Sequence, residues 1–349
     1  MSTETVATEP PDAGPPPDAT RKRFVIPERF FTLQSYVALA LVFLLSVIIS
    51  PRRDGQILFL DTDNLLDVLR QVSEIGIIAV GMTFVILVAG IDLSVGAVLG
   101  LASTGVASLL VADGYGLLPA VLLVLFIGLM FGAVQGTLTT FLGIQAFIVT
   151  LAGMQVARGL ARIWSDGQVI GISYDGGAGS VPSSFELLDS HTFNGTVPIP
   201  ALIFVAVGVI ALLVVRYTVF ARHVYAIGGN ERAARLSGIP VARVKITVFA
   251  VAGLLAALAG IIHAGQYNQG DPNAGIEYEL DAIAAVVIGG TSLMGGVGSV
   301  AGTLAGALLL GILNNILLLK NIDSDIQLLI KGVIIVAAAG IQVFRTQRR

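Results

Sequence analysis

Residues 199–216 read IPALIFVAVGVIALLVVR, and no charged side chain occurs between Ile199 and Val215. That length is close to the roughly 20 apolar residues a helix needs to cross a bilayer. The run also lacks the apolar–polar alternation of a membrane barrel strand. Lipid offers no partner to backbone N–H and C=O groups, so this segment is expected to be a helix, which satisfies them internally. The next stretch differs in kind: between Arg216 and Lys245 the chain carries Arg216, Arg222, Arg232, Arg235, Arg243 and Lys245. Lys and Arg are retained on the cytoplasmic side, so 216–245 is expected to be a cytoplasmic connector.

Comparable apolar runs lie at about 34–50, 71–90, 92–112, 117–141, 144–164, 246–265, 281–293, 299–319 and 326–344, which makes about ten crossings in all. Composition agrees. Of 349 residues, 55% are hydrophobic and 12% charged, with a mean hydropathy of +0.88, whereas a soluble domain carries about 25% charged residues. The expected fold is an all-α, polytopic transmembrane helix bundle. Glycine is abundant, at 41 residues, and small residues let membrane helices approach closely. Cysteine is absent, which excludes disulfides, thiolate metal sites and a cysteine nucleophile.

Charge in the remaining connections fixes an orientation. The segment 165–198 contains Asp166, Asp175, Glu186 and Asp189 but no Lys or Arg, and 266–281 likewise has no basic residue, so both are expected to be extracytoplasmic. Arg21, Lys22, Arg23 and Arg29 before the first run, and Arg345, Arg348 and Arg349 after the last, place both termini in the cytoplasm. An even number of crossings satisfies all of these. The segment 51–70 fits less well, because it should be outside yet holds Arg52, Arg53 and Arg70, partly offset by Asp54, Asp61, Asp63 and Asp67. Residues 1–30, which include the run PPDAGPPP at 10–17, are expected to form a disordered cytoplasmic tail, and 31–349 one transmembrane domain. The first apolar run begins only near Tyr36, so a cleaved signal peptide is not expected.

Two runs are interrupted. The first reads ILVAGIDLSVG over 86–96 and sets Asp92 between apolar stretches with almost no polar loop around it. An ionisable group there is costly unless it faces protein or water. One reading makes Asp92 and Ser94 caps for the following helix; the other makes them part of a polar site, and discontinuous helices serve both ends. The second reads IGGTSLMGGVGS over 288–299, after a run too short to cross as a straight helix. Such irregular backbone must be buried in protein or line a cavity. It is not a phosphate cradle, because none of Lys22, Lys245, Lys320 and Lys331 completes a P-loop, so no ATPase site is expected in this chain.

Gln135, Gln145, Gln155, Asn314 and Asn315 lie within expected spans. They can bind hydroxyl groups, though such residues more often join helices to one another. Arg158 and Arg162, four residues apart on one helical face, are expected to snorkel to the outer interface. In the basic connector, Asn230 can cap a short helix that Glu231 begins and Gly238 ends before Pro240. A helix that short needs a partner to be stable; anionic lipid or another protein would serve.

Four separated pieces then resemble one family: VAGIDLSVG (88–96), AIGGNERAARLSGI (226–239), YELDAIAAVVIGGTSLMGG (278–296) and LGILNN (310–315) are similar to the membrane-spanning permeases of ribose- and xylose-type ATP-binding-cassette sugar importers. The similarity runs from about Phe31 to the C-terminus. It implies a multi-pass protein of the bacterial cytoplasmic membrane, with two ATP-binding subunits on its cytoplasmic face, an extracytoplasmic sugar-binding protein, and a second permease copy, identical or related. The lipid bilayer is its other partner, and no nucleic acid, cofactor, metal or catalytic residue is expected. By resemblance, Gly228, Gly229, Asn230, Glu231, Arg232, Arg235, Leu236, Ser237 and Gly238 form the element that docks on the ATPase. Gly90, Asp92, Ser94, Gln135, Gln145, Thr291, Ser292, Asn314 and Asn315 are the candidates for the translocation path. Two other classes fit the hydropathy: an ion-coupled secondary transporter of a small polar solute, which needs intramembrane ionisable relays where this chain offers Asp92 and, near a span end, Glu74, and a passive channel.

Overall fold

The computed structural model describes residues 29–174, 181–189, 191–192 and 197–346. The expected tail lies outside them except for its last two residues, as do Asp175, Arg348 and Arg349. In chain order the helices are α1 (Arg29–Ile49), α2 (Thr62–Leu87), α3 (Val95–Val111), α4 (Leu117–Phe141), α5 (Ala146–Trp164), α6 (Ser183–Glu186), α7 (Ile199–Tyr217), α8 (Val219–Gly229), α9 (Glu231–Leu236), α10 (Val241–Tyr267), α11 (Tyr278–Ile288), α12 (Val300–Leu319) and α13 (Ser324–Thr346). Each expected span coincides with a helix. Among the described residues six of them, α2, α4, α5, α7, α10 and α12, are long and apolar enough to cross a membrane, and Ser35–Ile49 of α1 and Val95–Val111 are shorter apolar helices. The fold establishes a polytopic helical membrane protein without fixing ten crossings.

Boundaries moved where polar residues extend a helix beyond its apolar part. Helix α2 begins at Thr62 rather than 71, because the Asp61 carboxylate accepts the Asp63 N–H at 3.0 Å and caps it. Helix α10 gains a turn at its start, over Val241–Lys245. The expected run 281–293 is instead α11, only 11 residues long. At 1.5 Å per residue that is about 16 Å, half a crossing. The preceding chain, 268–277, is non-helical apart from the pairing of Gln269–Gly270 with Ile170–Gly171.

Helix α4 shows how the sequence sets the packing. Gly128, Gly132 and Gly136 recur every fourth residue and face α10, where a Cβ on Gly132 would strike the Phe249 carbonyl and one on Gly136 would lie 2.8 Å from Ile246 Cα. Leu118, Leu122, Phe126, Met130, Val134 and Leu138 recur at the same spacing and are exposed. The two series are offset by two residues, about 200° around the helix, so glycine meets protein while the large side chains meet lipid.

The centre of the molecule is built from two units of the same design. In each, a long helix (α2, α10) is followed by a non-helical stretch (88–94, 268–277), a shorter helix (α3, α11) and another long helix (α4, α12). The units run in opposite senses: Gly81 packs on Ala252 while Glu74 meets His263, so α2 and α10 are antiparallel. Each long helix also pairs antiparallel with the last helix of the other unit. Gly136, Gly132 and Gly128 of α4 meet Ile246, Phe249 and Gly253 of α10, and Thr303 and Asn315 of α12 meet Thr83 and Asn64 of α2. Inverted units with broken helices are a recurrent plan among transporters.

The α4–α10 contact yields a test. Gly132→Leu should destabilise the protein by about 1–3 kcal/mol, the usual cost of forcing volume into a packed interface. Gly159→Ala, where the new methyl meets nothing within 4 Å, should not. Thermal midpoints of the two detergent-solubilised variants check this, with a drop expected for the first alone.

Candidate functional site

The basic connector folds as α8 and α9. Thr218 Oγ1 accepts the Ala221 N–H at the start of α8, and Asn230 Oδ1 accepts the Ala233 N–H at 2.9 Å, capping α9 as its sequence position suggests. Gly238, at φ +82°, ends α9 with a left-handed turn. Glu231 holds the element to the bundle: it takes Lys245 Nζ at 2.6 Å and Arg235 at 3.1 Å. Burial alone would raise the Glu231 carboxyl, but Lys245 and Arg235 together hold it below its ordinary value. Arg232, Arg235, Ser237 and Gly238 are exposed, and Leu236 is 83% exposed, an apolar side chain presented on a charged surface.

Behind α9, three backbones meet. The Gly296 N–H donates to the Leu87 carbonyl at 2.9 Å, joining the two helix breaks directly. Gly228, in the last turn of α8, lies against both: a Cβ there would collide with the Leu87 carbonyl oxygen and the Gly296 nitrogen. The Tyr225 hydroxyl, one turn earlier, donates to the Gly298 carbonyl at 2.9 Å. Ala89 adopts φ +59° and packs against Gly295, itself at φ +82°. The Gly-rich segment is folded into turns in which Ser292 N–H donates to the Val297 carbonyl and Gly295 N–H to the Ser292 carbonyl. Thr291, fully buried, accepts the Ser299 N–H through Oγ1.

Asp92 lies just beyond the first break and is buried. Its Oδ1 accepts the Ser94 N–H at 2.8 Å and the Ser94 hydroxyl at 2.6 Å, and Gln135 Nε2 donates to Ser94 Oγ at 2.9 Å. Thr150 Oγ1 donates to the Ile91 carbonyl nearby. The carboxylate thus forms a turn two residues ahead of α3 and ties it to α4. Neither side chain caps α3 itself: Ser94 stands at its N-cap without a side-chain capping bond, and Asp92 bonds Ser94 rather than the free N–H groups of the helix.

The non-helical stretch before α11 has its own fastening. Arg158 does not snorkel; Nη1 donates to the carbonyls of Pro272 and Ala274 at 2.7 Å each. Arg162 donates to Asn273 Oδ1 at 2.9 Å. The Arg158 contacts satisfy two carbonyls that the non-helical 271–275 segment leaves without helical partners, while Arg162 stays exposed and reaches only the Asn273 side chain. Arg70, the misfit in the charge pattern, pairs with Asp189 of the 165–198 segment, so its charge is compensated there.

The nine candidate path residues therefore fall in separate places. Gly90, Asp92, Ser94 and Gln135 belong to the first break. Thr291 and Ser292 lie in the inner turns of the second. Asn315 exchanges amide hydrogen bonds with Asn64, joining helices α12 and α2, while Asn314 lines a cavity together with Glu74 and Tyr278. Gln145 is exposed at the start of α5 and makes no capping bond. Sequence reasoning passed over one buried pair altogether: Glu74 Oε2 and His263 Nδ1 are 2.9 Å apart inside the bundle. Glu74 was visible only as a carboxylate near a span end, and its partner is 189 positions away.

With this geometry in place, the chain was compared with known proteins. Residues 64–339 match the family described as the permease component of the branched-chain amino acid transport system. The chain belongs to this permease family. It is 43% identical over 319 residues to the ribose import permease protein RbsC of Haemophilus influenzae, covering 90% of this chain and 93% of that one. The RbsC protein of Bacillus subtilis is 46% identical over 300 residues, 85% of this chain and 89% of its own. The xylose transport system permease protein XylH of Escherichia coli K12 is 35% identical over 359 residues, 88% of this chain and 91% of its own. No solved structure matches the permease.

A pH prediction follows from Glu231. Its pKa in the folded permease lies below the ordinary 4.5, so its ion pairs contribute stability above that value and lose it as the pH falls through the folded pKa. Amide exchange in α9, corrected for its intrinsic pH dependence, should therefore lose protection on acidification below about pH 4.5 in the native permease. Glu231→Gln, already without the charge, should show little further loss.

Proposed function

We propose that this chain is the membrane-spanning permease subunit of an ATP-binding-cassette importer for a monosaccharide, a pentose such as ribose or xylose. The observation that carries the reading is the near full-length similarity to two ribose import permeases and a xylose permease. The α8–α9 element supports it independently, because an exposed leucine beside arginines on a short helix suits docking to a protein more than burial in lipid. In this reading Gly228 to Gly238 seat on a cytoplasmic ATP-binding subunit, both termini are cytoplasmic, and the chain crosses the bacterial cytoplasmic membrane about ten times. An extracytoplasmic sugar-binding protein delivers the solute to a pair of permease chains. ATP hydrolysis belongs to the partner, and the permease catalyses no covalent step.

The mechanism follows from what touches α8. Closure of the ATP-binding subunits displaces α9, and Gly228 passes the motion to Leu87 and Gly296, one at each helix break. Both breaks belong to non-helical segments, so they can change shape without breaking a continuous helical ladder. A sugar that bound the inward- and outward-open states equally would not bias them, so the driving energy comes from ATP and the binding protein.

The Glu74–His263 pair is the one feature that favours an ion-coupled carrier, since such relays move protons in secondary transporters. Proteoliposomes separate the two. Uptake of D-ribose or D-xylose should require ATP together with the ATP-binding and sugar-binding partners; uptake driven by a proton or sodium gradient without them would reject the importer. The double variant Glu231→Ala, Arg235→Ala should insert normally but retain under a tenth of native uptake, and should recover less ATPase on copurification. Full uptake by that variant would reject the docking role.

A further inference from the structure

A cavity of about 250 Å3 lies among α2, α10, α11, α12 and α13. Its walls include Glu74, Tyr267, Tyr278 and Asn314, with the Asp281–Lys331 pair at 3.1 Å on one side. The Glu74–His263 pair closes another part of its lining, and His263 stacks at 4.4 Å on the Tyr267 ring. Two acceptors are unfilled. Glu74 is 3% exposed, and its Oε1 has no hydrogen-bond partner; nor does the buried Asn314 Oδ1. Leaving such groups unpaired costs about 1–3 kcal/mol each, more when the group is charged. Such groups call for an occupant that donates hydrogen bonds, and here both border the same cavity.

We infer that this cavity is the permease's own binding site for a neutral, polyhydroxylated solute of monosaccharide size. The inference rests on the sugar-import reading above and gives it a location. Size supports it, because a cavity of this volume falls just below the roughly 300–1,000 Å3 of ordinary ligand pockets and has room for a small solute only. The unfilled groups are both acceptors, and hydroxyls supply donors to them. Asp281 already has its countercharge in Lys331, and Glu74 is bonded to His263, so the lining offers polar groups that are already partnered by protein and leaves hydroxyls as the fitting donors. Tyr267 and Tyr278 offer ring surface to the apolar faces of a sugar.

The site is also placed to act. Tyr278 and Asp281 stand in the first turn of α11, and the turns beyond its last residue reach Gly296 at the junction with Leu87 and Gly228. One short helix therefore has the cavity at its outer end and the coupling contact at its inner end. Displacing α11 inward or outward changes the cavity and the junction together, which would let arrival of solute and movement of the ATP-binding subunits be felt at the same helix.

The native chain has no cysteine, so Ala307→Cys places a single thiol in the cavity wall. In the assembled importer in proteoliposomes, a small water-soluble thiosulfonate should label this thiol, and D-ribose with its binding protein should slow labelling at least about fivefold. A thiol that does not react, or reacts at the same rate with D-ribose present, overturns the site. In parallel, Glu74→Gln, which keeps the volume, should raise the apparent KM for D-ribose uptake about tenfold with a smaller change in maximal rate. If that variant does not assemble, Asn314→Ala takes its place with the same expectation, and an unchanged KM overturns the site. Absence of ATP-dependent D-ribose and D-xylose uptake by the native importer would instead sink the sugar reading itself.

Discussion

The arrangement turns on a place where three pieces of backbone touch with no side chain between them. The Leu87 carbonyl accepts the Gly296 N–H, and Gly228 of helix α8 lies against both. Side-chain contacts can slide past one another as rotamers change. Backbone pressed on backbone cannot, so movement of α8 must displace the ends of both broken segments or be blocked by them. Glycine at 228 is what permits the contact, and glycine at 295 and 296, both at positive φ, permits the turn that delivers the second break to it.

The breaks are tolerable in a membrane because each is fastened by polar groups supplied from elsewhere. At the first, Asp92, Ser94 and Gln135 satisfy one another just ahead of α3. Before α11, Arg158 and Arg162 hold the non-helical 271–275 segment, and after it Thr291 with Ser299 closes the Gly-rich turns. The first break and the Gly-rich turns meet at Gly228 of the basic connector.

Much of this was legible in sequence because hydropathy and charge act locally. The run at 199–216 and the capping pattern at Asn230 needed no knowledge of distant residues, and each took the form read from it. The interruptions at Asp92 and Gly289–Gly298 were equally plain, since a carboxylate or a cluster of glycines breaks an apolar run visibly. What sequence did not reveal depends on partners far along the chain. Arg158 read as a snorkelling residue because the Pro272 and Ala274 carbonyls that hold it are known only once the chain has folded back. Glu74 read as an end-of-span carboxylate until α10 brought His263 beside it. The nine polar and glycine positions grouped as one path separated for the same reason: spacing places a residue on a helix face, but only packing decides which neighbour that face meets.

The most direct test compares two adjacent glycines of α8. Alanine is the better helix former at both, by up to about 1 kcal/mol, so neither change weakens the helix itself. At Gly229 the added methyl meets nothing within 4 Å, whereas at Gly228 it strikes the Leu87 carbonyl and Gly296. With ATP hydrolysis and D-ribose uptake measured on the same reconstituted importer, Gly229→Ala should keep the native ratio of sugar moved to ATP hydrolysed, whatever its effect on docking. Gly228→Ala should lower that ratio to less than about a tenth. Equal ratios in the two variants would contradict the account, because the backbone junction would then carry no motion.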